Sequence, residues 1–445
     1  MMFRKETEFQ ETEIGEFPKE WKVKKLKEVV IKAKAGGTPR RNISEYWNGN
    51  IPFVKIQDIT RSGKYLYISE EFITEKGLKN SNAWIVPKDS LLLAIYGSLG
   101  SIAINKIPVA TNQAIVGIIP NSSIINIEFL YYWFLYFKPY WYKFVKKSTQ
   151  PNLTLEIVLN SLVPTPPLEE QKRIANILSM IDSSIEIVDR AIAKLERMKR
   201  ALLNELLTGR IRVREEYGKL TFYRETEFQD SEIGKMPKDW RLVKISNIAE
   251  DIYYGITAKA VEHKTSLKML RTTDIKDYNV DWDSLPFCEI TEKRGNIQRF
   301  LLKKGDIIIA RAGTTGVCVL VEKDFEDVIF GSYLIKVKLN GDVYPGFIYY
   351  FCQSHSYWDQ ITSGQAGSTI KNINLSLLKS LNVPLPSSVK EQIVITETLS
   401  TVDKAIELYR REKERLLRLR RSLMSVLLTG RVKVVSDVRD VGVVV

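Results

Sequence analysis

The chain carries an internal duplication. Residues 5–21 read KETEFQETEIGEFPKEW and residues 224–240 read RETEFQDSEIGKMPKDW, with 11 identities in 17 positions at an offset of 219. The match continues in two further pairs of segments: Val86–Ile104 with Leu302–Leu320, and Gln171–Arg210 with Gln392–Arg431. A repeat of about 220 residues is much longer than the roughly 20 to 50 residues of a solenoid unit. The sequence therefore predicts two copies of one domain, each followed by a helix.

Both repeats end in a segment with the signals of a long helix. Proline-rich junctions (164–167 and 384–386) precede each start, where proline is tolerated. Glu170 and Glu391 follow, near the positive end of the helix macrodipole, and Gly209 and Gly430 supply a glycine C-cap. Between these limits, residues at a three-four spacing extend over about five heptads and predict a coiled coil: Ile174, Leu178, Ile181, Ile185, Val188, Ile192, Leu195, Lys199, Leu202 and Leu206, then Ile395, Leu399, Val402, Ile406, Tyr409, Lys413, Leu416, Arg420, Leu423 and Leu427.

Connectivity predicts the direction of the second helix. If the two seams pair within the chain, the second helix runs antiparallel to the first and returns residues 431–434 to the N-terminus. Lys199, Lys413 and Arg420 interrupt the seam, and they either fix the register or bend out to solvent. The predicted domains are two globular domains, two helices and a tail: 1–166, 167–210, 211–385, 386–432 and 433–445.

The globular segments are predicted to be α+β. Short β-like runs alternate with glycine-rich turns: Ser90–Ile95, Ser101–Ile104, Ile115–Ile119, Asp306–Ala310, Val317–Val321 and Leu334–Leu339. A helix rich in aromatic residues follows in each copy, over Glu128–Lys146 and Gly346–Ile361. Stripes of this kind are more often core than ligand platforms, and we expect core packing here.

Composition limits the partners. The net charge is +13, which suits a polyanion, but a solvated lysine-rich surface explains it equally well. Residues 213–385 carry 23 basic and 23 acidic groups, so a DNA-binding role for that domain requires a local basic face. Three cysteines without metal-ligand spacing predict a reducing compartment, hence the cytoplasm, with no disulfide framework and no metal site. No apolar run of 18 residues predicts a membrane span, and the N-terminus lacks the apolar region of a signal peptide.

Sequence signals for catalysis are missing. The chain has no G-x-x-x-x-G-K-[ST] phosphate loop. Its single Pro-Pro, Pro166-Pro167, lacks the D/N-P-P-F/Y context of an amino-methyltransferase, and no Pro-Asp step precedes Asp274-Ile275-Lys276 as a common nuclease site requires. The short loops at Gly97–Gly100 and Gly313–Gly316 are predicted to be turns between strands.

Three elements that recur at matching places are candidates for recognition. The first pairs the loop from Gly36 to Asn42 with Gly255–Lys259; glycines allow close backbone approach, and the basic end reaches phosphate or a guanine edge. The second pairs residues 55–59 with 271–275, whose polar side chains are predicted to share one face of a strand, directed either to a DNA groove or to solvent. The third pairs residues 146–152 with 365–372, a mixture of amides, hydroxyls and lysine used for phosphate and base contacts. The candidate DNA-binding residues are Arg40, Arg41, Lys55, Gln57, Lys146, Lys147, Gln150 and Asn152, and Tyr254, Lys259, Arg271, Thr273, Lys371 and Asn372.

The order of these pieces resembles the specificity subunit of type I restriction–modification enzymes. Two variable globules each follow an I-G-x-x-P-x-x-W segment and each precede a P-x-P…E-Q helix ending in L-L-T-G-R, over nearly the whole chain. The first copy has Ala110–Ala114 (ATNQA) where the second has Phe330–Leu334 (FGSYL), which argues against Asn112 and Gln113 as general functional residues.

The resemblance implies a DNA-reading protein without catalysis of its own. Each globule would read one half of a bipartite target in double-stranded DNA, and the helices would set the unread spacer. Two modification (methyltransferase) subunits would bring S-adenosylmethionine, and restriction/translocase subunits would bring ATP and Mg²⁺, so the chain itself would hold no cofactor. Two other functions stay open: a catalytic methyltransferase or nuclease subunit, and a coiled-coil scaffold.

Overall fold

The structure, a computed structural model, describes residues 2–143, 153–291, 297–365 and 372–435. The chain divides into two compact units, residues 1–189 with 411–445, and residues 190–410. Each unit combines helices with antiparallel and mixed sheets, so the predicted α+β class is confirmed.

The first half of the chain contributes thirteen of the described strands and six of the described helices. The strands are β1 (Met2–Lys5), β2 (Phe9–Thr12), β3 (Gly15–Pro18), β4 (Lys22–Lys25), β5 (Val30–Ala35), β6 (Trp47–Val54), β7 (Tyr65–Leu66), β8 (Glu71–Ile73), β9 (Ser90–Ala94), β10 (Ile102–Asn105), β11 (Ala110–Thr111), β12 (Ile115–Pro120) and β13 (Leu162–Thr165). The helices are α1 (Leu26–Val29), α2 (Ile56–Ser62), α3 (Glu75–Lys79), α4 (Ile127–Trp141), α5 (Leu155–Leu159) and α6 (Leu168–Leu207), with a 3₁₀ turn at Ser44–Tyr46.

The second half repeats this order with local changes. The strands are β14 (Ile211–Glu216), β15 (Lys219–Arg224), β16 (Phe228–Ser231), β17 (Gly234–Pro237), β18 (Arg241–Lys244), β19 (Ala249–Tyr254), β20 (Ala258–Val261), β21 (Lys268–Leu270), β22 (Ile275–Lys276), β23 (Asn279–Val280), β24 (Phe287–Ile290), β25 (Ile307–Ala310), β26 (Cys318–Leu320), β27 (Val328–Phe330), β28 (Leu334–Leu339), β29 (Asn382–Leu385) and β30 (Val432–Val435). The helices are α7 (Ile245–Ile248), α8 (Pro345–Phe351), α9 (His355–Gly364), α10 (Leu375–Ser380) and α11 (Val389–Leu427), with 3₁₀ turns at Thr272–Asp274 and Ile297–Phe300.

Each unit has a main sheet covered by aromatic helices. In the first unit the strand order is β5-β12-β9-β10-β7, and the apolar strand β9 is wholly buried. In the second unit the order is β19-β28-β25-β26, and β25 is buried in the same way. A smaller sheet lies beside each main sheet, β11-β6-β8 in the first unit and β20-β24-β21-β27 in the second. The six predicted strands are found, with ends that differ by one residue at most.

The aromatic helices form cores, as predicted. Helix α4 buries Phe129, Trp133, Phe134 and Trp141 against its own unit's sheet. In the second unit the prediction of one helix over Gly346–Ile361 is wrong, because two helices, α8 and α9, occupy this stretch. The cause is a new N-cap: the Ser354 hydroxyl accepts a hydrogen bond from the Tyr357 N–H at 3.2 Å, which starts α9.

The most strongly repeated segment closes a hairpin in each unit. The Gln10 side-chain amide donates to the carbonyl oxygens of Pro18, Lys19 and Trp21 at 2.7–3.2 Å. Gln229 makes the three equivalent bonds in the second unit at 3.0–3.1 Å. The two tryptophans that end these segments, Trp21 and Trp240, are buried in their units' cores. The sequence match at 5–21 and 224–240 therefore preserves structure.

The long helices are antiparallel within each unit. In the first unit Asp182 pairs with Arg420 at 2.8 Å and Asp189 with Lys413 at 2.6 Å. Higher residue numbers on α6 therefore pair with lower residue numbers on α11, as antiparallel helices require. In the second unit, the equivalent pairing joins Lys199 to Asp403 at 2.7 Å. All three basic residues that interrupt the seam thus meet a carboxylate of the opposite helix, which favours the fixed-register alternative.

The end of α11 returns to the N-terminus of the first unit, as connectivity predicts. Strand β30 pairs antiparallel with β1, and Val434 lies opposite Phe3. In the second unit the same pairing is made inside the hairpin β14–β15, where Val213 lies opposite Phe222.

Candidate nucleic-acid interface

In the first unit, two glycines hold an arginine loop against the sheet. A Cβ atom on Gly36 would lie 2.0 Å from the Thr111 carbonyl oxygen, and Gly37 donates its N–H to the same oxygen at 2.9 Å. Only glycine permits this approach of two backbones. The loop then presents Arg40 and Arg41, which are both exposed.

One carboxylate joins two of the predicted DNA-binding residues. Glu71 contacts the Arg41 guanidinium at 2.8 Å and the Lys55 ammonium at 2.7 Å, and Arg41 also lies 3.9 Å from the centre of the Trp47 ring. Burial works to raise the pKa of the Glu71 carboxyl, but the hydrogen bonds and charges of Lys55 and Arg41 outweigh it and lower that pKa. The cluster therefore keeps a net positive charge and an orientation that is set before any ligand arrives.

The prediction that Lys55, Gln57, Arg271 and Thr273 share one face of a strand is wrong. Lys55 directly precedes helix α2, on which the exposed Gln57 lies, and Arg271 directly precedes the 3₁₀ turn that contains the exposed Thr273. The cause is an aspartate three residues further on, which accepts the backbone N–H and starts a helical turn. Asp58 accepts from Lys55 at 2.7 Å, and Asp274 accepts from Arg271 at 2.9 Å.

Arginine 271 is further constrained by its own side-chain pairing. Its Nε and Nη2 atoms donate to the two carboxylate oxygens of Asp274 at 3.0 and 2.7 Å. This hydrogen bond to Asp274 raises the pKa of the Arg271 guanidinium above its ordinary value. The donors that face Asp274 are occupied, so a DNA contact would use the remaining edge.

Three of the remaining candidates, all in the second unit, lie on two strands and one connecting segment, and the others lie outside the described residues. Lys259 is exposed on β20, opposite Glu289 of β24, rather than in a loop. Tyr254 ends β19, and its hydroxyl accepts the Leu375 N–H at 3.2 Å. Asn372 is exposed just before α10. Lys146, Lys147, Gln150, Asn152 and Lys371 lie outside the described residues.

The short glycine-rich turn after the central strand brings these elements together in the second unit. The carbonyl oxygen of Arg311 accepts the Ile373 N–H at 3.0 Å, which places the 372–375 segment against the turn. A Cβ on Gly313 would lie 3.6 Å from the Thr272 hydroxyl oxygen. The Arg311 guanidinium lies 4.5 Å from the centre of the Tyr254 ring. The predicted elements therefore converge on a turn that sequence reasoning assigned only a connecting role.

The first unit has the same convergence. The carbonyl oxygen of Ile95 accepts the Leu153 N–H at 3.0 Å, and a Cβ on Gly97 would lie 3.7 Å from Ile56. The Thr38 hydroxyl donates to the Gln113 side-chain oxygen at 2.6 Å. This surface presents mixed donors and acceptors, the composition used to read base edges.

The described part of the chain offers no arrangement for metal or thiol chemistry. It contains no group of three His, Cys, Asp or Glu residues placed to hold a metal ion. Cys288, Cys318 and Cys352 are buried, and burial raises the pKa of the Cys288 thiol to about 11. Within the described residues, no helix is both long and apolar enough to span a membrane.

Comparison with known proteins defines the class. The sequence profile of the type I restriction modification DNA specificity domain matches residues 18–197 and again residues 237–418. The chain belongs to this family of DNA-recognition components, in which catalysis lies in partner subunits.

Curated relatives are named specificity subunits of type I restriction enzymes. The chain is 26% identical over 450 residues to the type I restriction enzyme MjaVIII specificity subunit of Methanocaldococcus jannaschii, covering 98% of each protein. It is 24% identical over 351 residues to the EcoBI specificity subunit of Escherichia coli, covering 77% of this chain and 71% of that one.

Solved structures share the fold. The S subunit of a type I restriction-modification system from M. genitalium superposes with a TM-score of 0.57 at 14% identity, covering 92% of this chain and 96% of that one. A chain from a structure on complex assembly of a type I R-M system gives 0.56 at 19% identity, covering 93% and 99%.

Proposed function

We propose that this chain directs a type I restriction–modification complex to an asymmetric bipartite sequence in double-stranded DNA, with each unit reading one half. The observation that carries the proposal is the pair of equivalent loop clusters, one around Gly97 and one around Gly313. The backbone is common to both, and the exposed side chains differ. Two related surfaces with different donors suit two half-targets of different sequence.

Exposed and half-buried basic residues provide the positioning contacts in this proposal. Arg40, Arg41 and Lys55 bind phosphates or guanine edges of the first half, and Lys259 and Arg271 bind those of the second. Glu71 and Asp274 hold three of these cations in place, so little side-chain freedom is lost on binding. Gln57, Thr273 and Asn372 are exposed hydrogen-bonding groups beside them, suited to base edges.

The long helices set the unread spacer. Helices α6 and α11 contain 40 and 39 residues, so each is about 60 Å long at 1.5 Å per residue. This length limits the spacer region to about 17 base pairs at 3.4 Å per pair. Half-site centres one helical turn apart, about 34 Å, would let both units enter major grooves on one face of the duplex.

Partner subunits supply the chemistry. The repeated helix junctions suit two modification subunits that bind in the same way, and these bring S-adenosylmethionine for adenine methylation. Restriction subunits bring ATP and Mg²⁺, and the complex acts on DNA in the cytoplasm. The support is the duplication itself: Arg212 with Glu225 in one unit corresponds to Lys433 with Glu6 in the other.

Methylome mapping tests the proposal. The chain is expressed with its modification subunits in a host that lacks adenine methylation, and methylated adenines are mapped by single-molecule sequencing. We expect one asymmetric bipartite motif, absent when either component is omitted. Methyl transfer by the chain alone would favour a catalytic subunit, and no motif with active modification subunits would favour a scaffold.

Variants assign the halves. In binding assays on the mapped duplex, Arg40→Ala or Arg41→Ala should weaken contact with the first half only, and Lys259→Ala with the second half only. Each loss of a phosphate contact should reduce the slope of log affinity against log salt by about one. Lys19→Ala, an exposed lysine of the entry hairpin that pairs with Glu8, is the matched control. Equal effects of one variant on both halves would contradict one unit per half.

A further inference from the structure

The turn after the central strand has the same backbone bonds in both units. The Ile95 N–H donates to the Ala114 carbonyl oxygen at 2.8 Å, and the Arg311 N–H donates to that of Tyr333 at 2.9 Å. Gly100 and Gly316 close the two turns by donating to the carbonyl oxygens of the alanines that end β9 and β25, at 2.9 and 2.7 Å. Positions 95 and 311 are therefore structurally equivalent.

The side chains at these equivalent positions differ in a coordinated way. Three apolar residues of the first unit, Ala35, Ile95 and Ala114, correspond to Tyr254, Arg311 and Tyr333 in the second. The strand pairing moves the sequence alignment of residues 110–114 with 330–334 by one residue. Ile95 and Ala114 are buried, with 4% and 9% of their surface exposed, whereas Arg311 is half-buried and Tyr333 is 63% exposed. One unit thus fills this place with core, and the other builds a cationic, aromatic cluster on the same backbone.

Arg311 is held by stacking, and no carboxylate of the described residues pairs with it. Its guanidinium lies 4.5 Å from the centre of the Tyr254 ring, and the Tyr254 hydroxyl is fixed by the Leu375 N–H. The Arg311 Nε atom is buried without a hydrogen-bond acceptor, and no carboxylate among the described residues forms an ion pair with this side chain. Arg41 and Arg271, by contrast, each contact a carboxylate.

We infer that Arg311 is a specificity-determining residue of the second unit, which reads a guanine in the major groove of the second half-target. This inference rests on the proposed function and names a residue of the turn around Gly313 that is not among the predicted DNA-binding residues. A guanidinium presents parallel N–H donors that match the O6 and N7 acceptors of guanine, the commonest specific contact between protein and base pair. Stacking on Tyr254 orients this plane, and Tyr333 is placed to cover the neighbouring base or its methyl group.

The lack of a carboxylate partner among the described residues gives the cluster its function. Arg271 already pairs with a carboxylate and must exchange it for DNA, whereas Arg311 has no carboxylate partner among the described residues to exchange. Binding removes the accessible donors of Arg311 from water, and a target without guanine at this position leaves them unpaired, which costs free energy. Discrimination between base pairs therefore follows both from the bonds that guanine forms with Arg311 and from the cost of unpaired donors at any other base.

The test compares the motif of the wild-type complex with that of Arg311 variants. Arg311→Ala, Arg311→Lys and Tyr254→Phe are each assembled with the modification subunits, and methylated adenines are mapped. Binding is then measured on duplexes that carry each base pair in turn at every position of the motif. Arg241→Ala, an exposed arginine on β18 of the same unit, is the matched control. Thermal unfolding of each variant reports whether the unit folds.

We expect Arg311→Ala to lose about 10- to 100-fold in preference for G·C at one position of one half-target, with the other half unchanged. Arg311→Lys should keep the salt dependence of binding but lose most of this preference, because an ammonium group cannot make the parallel pair of bonds. Tyr254→Phe, which keeps the ring, should retain the preference.

Two results would overturn the inference while the proposed function stands. One is an unchanged motif in a folded Arg311→Ala complex. The other is a wild-type motif that lacks a G·C pair in the half-target that the second unit reads. If the wild-type complex yields no bipartite motif at all, the proposed function itself fails.

Discussion

Replacing Arg212 should destabilise the second unit strongly. This arginine on β14 uses all five of its N–H donors on three carboxylates: two on Glu391, two on Asp239 and one on Glu225. Its guanidinium also lies 5.6 Å from the centre of the Trp240 ring. The cluster joins the strand after α6 to the first turn of α11, so its loss would loosen the junction of that unit.

The magnitude follows from burial. The Arg212 side chain is 7% exposed, and those of Glu391 and Glu225 are 10% and 13% exposed, whereas Asp239 is 62% exposed and contributes little. The change Arg212→Met keeps the packing of the stem but leaves two buried carboxylates without their cation. Breaking a buried ion pair from one side costs about 3–5 kcal/mol of unfolding free energy. We expect a loss in this range at pH 7.

The pH dependence has a definite sign. The hydrogen bond from Arg212 lowers the pKa of the Asp239 carboxyl, and the backbone N–H of Glu227, with Arg212, lowers that of Glu225. A carboxyl whose pKa is lowered by folding stabilises the protein above its unfolded pKa, about 4, and that contribution is lost as the pH falls through the folded value. The difference between wild type and Arg212→Met should therefore be full at pH 7 and shrink below about pH 4.

Urea unfolding is the appropriate assay, since guanidinium salts screen the charges under study. The double variant Arg212→Met with Glu391→Gln should recover part of the loss because it removes one buried charge. Lys433→Met is the matched variant in the first unit; Lys433 contacts Glu6 and Glu20 and is 23% exposed, so the cost should be about 1–3 kcal/mol. A cost below 1 kcal/mol for Arg212→Met, or no recovery in the double variant, would refute this reasoning.

Two further substitutions test the junction and the helix seam. Gly430→Ala should destabilise the first unit by at least about 1–2 kcal/mol in thermal unfolding, because φ is +69° and the added Cβ would lie 2.4 Å from the Pro18 ring. Gly341→Ala, with open space around it, is the control. Equal melting temperatures of the two variants would contradict the prediction. Asp182→Ala should lower the free energy of unfolding by about 2–4 kcal/mol, because it leaves Arg420 and the Tyr132 hydroxyl, which donates to Asp182 at 2.6 Å, without this acceptor. A similar loss is expected for Asp403→Ala. Both variants should show faster hydrogen exchange along α6 and α11.

Much of the fold could be predicted because it depends on local patterns. The three-four spacing of apolar residues located α6 and α11, and the antiparallel pairing followed from connectivity. The sequence explains only part of why Glu-Gln recurs at the start of both long helices. Sequence reasoning referred it to the helix macrodipole, but Gln171 is fully buried and bonds three backbone groups, the Asn126 N–H and the carbonyl oxygens of Ile124 and Pro166. No local pattern reveals partners about 45 residues away.

The error at Lys55 and Arg271 had a signal that could have prevented it. In both copies an aspartate follows three residues later, a spacing typical of the first turn of a helix. The alternation of polar and apolar residues favours a strand instead, and that pattern is the misleading one here. The start of a second helix at Ser354 also had a signal in the sequence, because serine is more favourable as an N-cap than in a helix interior.

The candidate site was harder to predict for a physical reason. The segments that match best between the copies, such as Gln10 with Gln229, hold the shared backbone together, so identity marks scaffold. Residues that read different half-targets must differ, and the turn with Arg311 therefore looks unremarkable when the copies are aligned. The match of Val86–Ile104 with Leu302–Leu320 already pairs Ile95 with Arg311, and the backbone hydrogen bonds show that the two positions are structurally equivalent. Only the structure shows that a half-buried arginine on an aromatic ring stands where the first unit has a core residue. In a duplicated recognition protein, specificity is to be sought where the fold is constant and the side chain is not.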